Sequence, residues 1–183
     1  MTITTRTEKR AGAPDSRRPW RLSGRLRKGV LVVHILAAGA WVGIDVVMGV
    51  FVFTALASDS DQTKALSYQA LEVFAVWPMT IAGMLCLASG IVLGLGSKYG
   101  LVRYWWVALK LMLNVLLSTL VLVALRPGVQ EAAEQGRRLA AGEPVSVQAS
   151  DLAFPPIVSP TLLVVAFLLS VYKPWGRIRR SPR

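Results

Sequence analysis

The sequence predicts an all-α protein, an integral membrane four-helix bundle. Three observations predict it. Hydrophobic residues make up 54% of the 183-residue chain and gather in four long runs. Each run is long enough to cross a hydrocarbon core of ~30 Å as a helix rising ~1.5 Å per residue. The basic residues, Lys110 apart, avoid the runs. Of 21 Lys and Arg, nine precede the first run, two lie between the second and third, and five follow the fourth. The positive-inside rule then places both termini on the cytoplasmic side. The formal net charge of +11 sits in flanks and loops without a recognition motif. It therefore reads as a topology signal and a contact with anionic lipid, and nucleic acid is not expected as a partner. A single cysteine, Cys86, excludes an internal disulfide and any Cys-rich metal or iron–sulfur site.

Residues 1–27 are basic and punctuated by Gly, Pro and Ser. They are expected to be a disordered to interfacial segment, with Trp20 to Lys28 forming a helix on anionic lipid. No small-residue cleavage site follows the first apolar run, which is expected to remain as an anchor. The bundle itself is expected over 28–173, with spans at about 29–56, 68–97, 104–126 and 152–173. A basic tail, 174–183, follows. Pro78 falls inside the second span and is expected to kink it. Tyr104, Trp105 and Trp106 are expected to anchor the third at the interface. The stretch 126–150 reads as the longest loop, with a surface helix over Val129 to Ala141. The fourth span carries Pro155, Pro156 and Pro160 in its first half. Two geometries satisfy these prolines: a helix from near Pro155 kinked at Pro160, or an extended piece shielded by protein, with Ser159 capping a helix that begins at Pro160. Continuous spans are commoner, so the kinked helix is the expectation.

The polar residues inside the runs are few. His34, the one histidine of the chain, shares a helical stripe with Ala38, Trp41 and Asp45. Counted from the charged flanks, His34 lies ~9 Å deep on the cytoplasmic side, Lys110 ~10 Å and Ser89 ~12 Å. These three are expected to meet on one level, with Asn114 one turn deeper. Asp45 lies ~25 Å from the cytoplasmic side, which pairs it with Glu72 in a second, outer layer. Ordinary structural roles stand beside the functional ones. Lys110 can snorkel to the headgroups, His34 can bridge helices, Asp45 can be buried as a neutral acid, and Glu72 can sit at the interface.

Three functions fit these residues. A neutral imidazole in a helical bundle is a usual axial ligand of haem, and Lys110 can pair with a propionate. Asp45, Glu72 and Asn114 can line a path for a metal ion or small solute, with Met48, Met79, Met84 and Met112 as soft donors. The chain can also be a non-catalytic anchor or subunit. Gly39, Ala40 and Gly43 keep one surface thin, which allows another helix close approach; the Gly-rich faces also allow a homodimer, and no residue fixes which face.

The motifs H-x6-W-x-G (His34, Trp41, Gly43), S-G-x3-G (Ser89, Gly90, Gly94), W-x3-L-K-L (Trp105, Leu109, Lys110, Leu111) and L-S-V-Y-K-P-W-G-R (Leu169 to Arg177) occur in this order. Together they resemble an actinobacterial family of small predicted integral membrane proteins of unknown function. The first- and third-span pattern is also distantly similar to the copper resistance protein D domain and to HemJ-type protoporphyrinogen oxidase. The resemblance implies a bacterial inner-membrane location. It also implies a site at His34 and Lys110 with haem b as the cofactor, flanked by Ser89 and Trp41, and leaves the reaction open.

Overall fold

The computed structural model describes residues 22–97, 101–102, 104–145 and 150–172. Its regular structure is helical. α1 spans Gly24–Ala57. α2, Asp61–Phe74, and α3, Val76–Leu95, follow as one bent rod. α4, Trp105–Leu120, passes through a π turn, Val121–Leu125, into α5, Arg126–Ala140. A short 3-10 turn, Ser150–Ala153, leads into α6, Pro155–Tyr172. Four of these rods are long and apolar enough to cross a membrane.

Local chemistry sets the ends and the bends. Ser23 caps α1, its Oγ accepting from the Leu26 N–H, and Ser60 caps α2 through the Thr63 N–H. Pro78 lacks the N–H that would bond to the Phe74 carbonyl, and the rod bends beside it at Ala75. Pro127 has the same effect on the third rod. It cannot bond to the carbonyl of Val123, and the Arg126 N–H reaches back five residues to the Val121 carbonyl, which makes the π turn. α5 ends at Gly142, whose φ of 82° suits glycine and lets the Glu143 N–H bond back to the Arg138 carbonyl.

α1 packs on α3, α6 and α2, and α4 packs on α3 and α6, which closes the bundle. Trp41, Met48, Val52, Met79, Leu117 and Leu163 meet in its core. Outside, the apolar side chains point away from the protein. Leu36 is 67% exposed, Val50 59% and Ile81 58%, the pattern of a surface whose solvent is lipid. α2 and α5 pair with each other. Gly136 permits their close approach: a Cβ there would lie 3.0 Å from the Ala65 carbonyl oxygen and 3.1 Å from the Tyr68 Cβ.

Several expected boundaries change. Residues 24–27, expected in the N-terminal segment, are the first turn of α1. The second span begins at Asp61, seven residues earlier than its expected start, because Ser60 caps it there. The helix expected over Val129 to Ala141 is present as α5, but it starts at Arg126 and joins α4 through the π turn, so no loop separates them. The fourth span keeps its expected start: α6 begins at Pro155 and continues through Pro160, and the alternative with Ser159 as the cap of a helix from Pro160 is not what forms. The expectations for residues 1–21 and for the tail 174–183 lie outside the described residues.

Candidate functional site

Two polar clusters occupy the bundle interior. The first joins α1, α3, α4 and α6 near the end where α1 begins. His34 is half-buried there. Its Nδ1 lies 2.9 Å from the Ser89 Oγ and 3.1 Å from the Cys86 carbonyl oxygen. A carbonyl only accepts, so the nitrogen facing it carries the proton. Nδ1–H therefore donates to Cys86 and Ser89, while the Ser89 hydroxyl donates to the Leu85 carbonyl one turn back. That assignment leaves the lone pair of His34 on Nε2, which has no hydrogen-bond partner among the described residues. Gly90 lies flat against the ring: a Cβ there would be 3.3 Å from the His34 Cε1.

Lys110 stands on α4 within electrostatic reach of both His34 and Cys86. Its Nζ donates to the Ser170 Oγ of α6 at 2.8 Å and lies 4.8 Å from the centre of the Trp106 ring. The ammonium thus ties two helices together across an aromatic face. Asn114, one turn further along α4, lies beside the Cys86 thiol. The expected pairing of His34 with Ser89 is present here, while Lys110 bonds Ser170 and stands in electrostatic reach of His34.

The second cluster surrounds Asp45, whose side chain is fully buried. Its Oδ2 accepts from the Ser159 Oγ at 2.8 Å. Among the described residues its Oδ1 has no hydrogen-bond partner, and neither has the Trp41 Nε1 one turn earlier on α1. Glu72 is not part of this cluster. It sits on the surface of α2 and accepts from Arg137 at 2.7 Å. The expected outer layer of Asp45 and Glu72 is therefore replaced by Asp45 and Ser159, because α5 continues far enough along α2 to bring Arg137 to Glu72. The methionines do not gather either: Met48 and Met79 are core, while Met84 and Met112 face outward.

Ser159 and Ser170 were not among the expected site residues. Their signal was present in the sequence: they are eleven residues apart, three helical turns, and so share one face of α6. That face meets Asp45 at one level and Lys110 at another.

The donor set decides what this site can hold. Among the described residues no three His, Cys, Asp or Glu side chains gather. A haem needs one imidazole from the chain, in a fixed tautomer and orientation, and an anchored Nδ1–H supplies both. His34 is the one side chain here with that donor chemistry among the described residues. Comparison with protein-family models, with curated proteins and with solved structures finds no match for this chain.

Proposed function

We propose that this protein is a four-span bacterial inner-membrane bundle, both termini cytoplasmic, that holds one haem b through His34 and serves in membrane redox chemistry or haem handling. The observation that carries the reading is the anchoring of His34. Its Nδ1–H is held by the Cys86 carbonyl and by Ser89, and its Nε2 has no hydrogen-bond partner among the described residues. The orienting group of a metal-bound imidazole is typically a carbonyl or carboxylate on the opposite nitrogen, which raises the basicity of the ligating one.

The haem, when bound, supplies one-electron chemistry. The residues do the rest. His34 would hold the iron, Ser89 and Cys86 keep its ring from turning, and Gly90 leaves room for that ring. Lys110 would supply the positive charge that a propionate requires. Orientation is supported by the basic residues of the first turn of α1, Arg25, Arg27 and Lys28, which are exposed and suited to anionic headgroups. A homodimer through one of the Gly-rich faces is compatible with this reading.

The test is an absorption spectrum of the detergent-purified protein, oxidised and then dithionite-reduced, beside His34→Ala. The expected result is a Soret band that sharpens on reduction and is lost in the variant. A wild-type protein that stays colourless after expression with haem precursor refutes the assignment.

A further inference from the structure

α6 is held unevenly along its length. Its outer end is fixed at several points. Leu152, just before it, is buried in the core and lies against Gly128, where a Cβ would be 3.4 Å from the Leu152 Cδ2. A Cβ on Gly49 would be 3.4 Å from the Pro156 Cβ, and the Ser159 hydroxyl donates to Asp45 at 2.8 Å. The inner end differs. Beyond Leu163 the described residues of α6 bury one side chain, Leu169. Val164, Phe167 and Leu168 are exposed, and Val171 and Tyr172 are 72% and 75% exposed.

Two helix-bending features lie between these parts. Pro160 has no N–H for the Pro156 carbonyl. Thr161, the next residue, turns its hydroxyl back to the Ile157 carbonyl at 2.6 Å, a contact that bends helices. Both act on one turn. The outer end is pinned before that turn, so the part able to swing is the inner arm, 161–172.

The surrounding solvent decides what holds the arm in place. In water, burial of Leu163 and Leu169 would drive it onto the bundle. In a bilayer the lipid tails are as apolar as the protein face, and that drive is lost. The polar contact then weighs most. Lys110 of α4 donates to the Ser170 Oγ at 2.8 Å, and the Ser170 hydroxyl donates to the Ala166 carbonyl. α6 is also the wall that joins α1 to α4 across from α3. The His34 Nδ1 faces Cys86 and Ser89 of α3. The two nitrogens of an imidazole diverge, so Nε2 turns away from those partners. Displacing the arm opens the bundle to the membrane at Lys110, which stands within electrostatic reach of His34.

We propose that the inner arm of α6 is a side door from the bilayer to the His34–Lys110 level, hinged at Pro160 and Thr161 and latched by Lys110 on Ser170. Its passenger is a flat, membrane-dissolved amphiphile that carries a carboxylate. A carboxylate is a stronger acceptor for the ammonium than a neutral hydroxyl, so Lys110 gives up Ser170 in exchange for it. That haem is this passenger rests on the assignment of His34; the hinge and the latch do not.

Nitroxide pairs in the full-length Cys86→Ser protein, read by pulsed electron–electron double resonance in lipid, test the door. Ala88→Cys with Val171→Cys spans the inner end, and Ile81→Cys with Val158→Cys spans the outer end; all four positions are exposed. The eleven residues from Pro160 to Val171 rise ~16 Å, so a further bend of ~20° at the proline carries the arm's end about 6 Å outward. Ser170→Ala is expected to raise the share of this longer inner distance about 3- to 20-fold, the range of one hydrogen bond between membrane helices. Pro160→Ala restores the missing N–H and is expected to lower that share. The outer pair is expected to keep its distance in both variants. An inner distribution that Ser170→Ala leaves as in the wild type, or an outer pair that moves as far, overturns the proposal. Haem uptake from vesicles, followed by the Soret band, is expected to be faster in Ser170→Ala and slower in Pro160→Ala. One uptake rate in all three proteins overturns the door as the route. No uptake in any of them refutes the haem reading of His34, and the distances still decide the door.

Discussion

Replacing Gly83 by alanine adds one methyl group where there is no room for it. The new Cβ would lie 2.8 Å from the Trp41 Cζ3, 3.0 Å from the Trp41 Cη2 and 3.0 Å from the Ser118 Oγ. Trp41 is fully buried, so its ring has nowhere to retreat. Overpacking of this kind costs up to about 3 kcal/mol, and the alanine returns about 1 through its higher helix propensity, for a net loss of about 2 kcal/mol. For a chain of this size that lowers the melting temperature by roughly 4–8 °C. Gly43→Ala is the matched control, because a Cβ there meets nothing within 4 Å. It keeps the propensity gain alone and is expected to raise the melting temperature by roughly 2–4 °C. Thermal unfolding of both variants in one detergent, followed by circular dichroism, checks the pair. Shifts of the same sign and size would mean that Trp41 does not pack against α3 at Gly83, and the interior described above would be wrong.

Other perturbations separate the remaining parts of the structure. Ser89→Ala removes one anchor of the His34 ring and is expected to weaken haem binding about 10- to 100-fold in a haem titration, with the fold intact. Ser159→Ala leaves the Asp45 carboxyl without its partner in a fully buried site and is expected to cost about 1–3 kcal/mol in chemical unfolding. Glu72→Gln breaks an ion pair whose side chains are 46% and 40% exposed, so the same assay is expected to register less than about 1 kcal/mol. A reporter fused after Arg183 is expected to read as cytoplasmic; an extracytoplasmic signal contradicts the assigned orientation.

Much of this architecture was legible because membrane helices are governed by long-range composition. Four apolar runs give four rods, and Pro78 and Pro160 mark a bend and a tolerated proline inside a helix. The meeting of His34 and Ser89 was also legible, since depth along a helix follows from counting residues inward from the charged flanks. Counting depth does not give rotation. Glu72 and Asp45 lie at similar depths, but Asp45 faces Ser159 while Glu72 turns to Arg137. The continuation of α4 into α5 was hidden by Pro127, which reads as a stop signal and is absorbed by a π turn instead. The role of Gly83 was not visible either. A glycine that admits a tryptophan ring looks the same in sequence as one that faces lipid, such as Gly43.

The most direct test of the central claim is chemical rescue at His34. His34→Gly removes the imidazole and leaves space for a free one. With free imidazole added, the variant is expected to regain the Soret band of the wild-type protein in its oxidised and reduced forms. Without imidazole, that band is expected to be displaced or missing. A wild-type spectrum in His34→Gly with no imidazole present would show that His34 does not hold the iron.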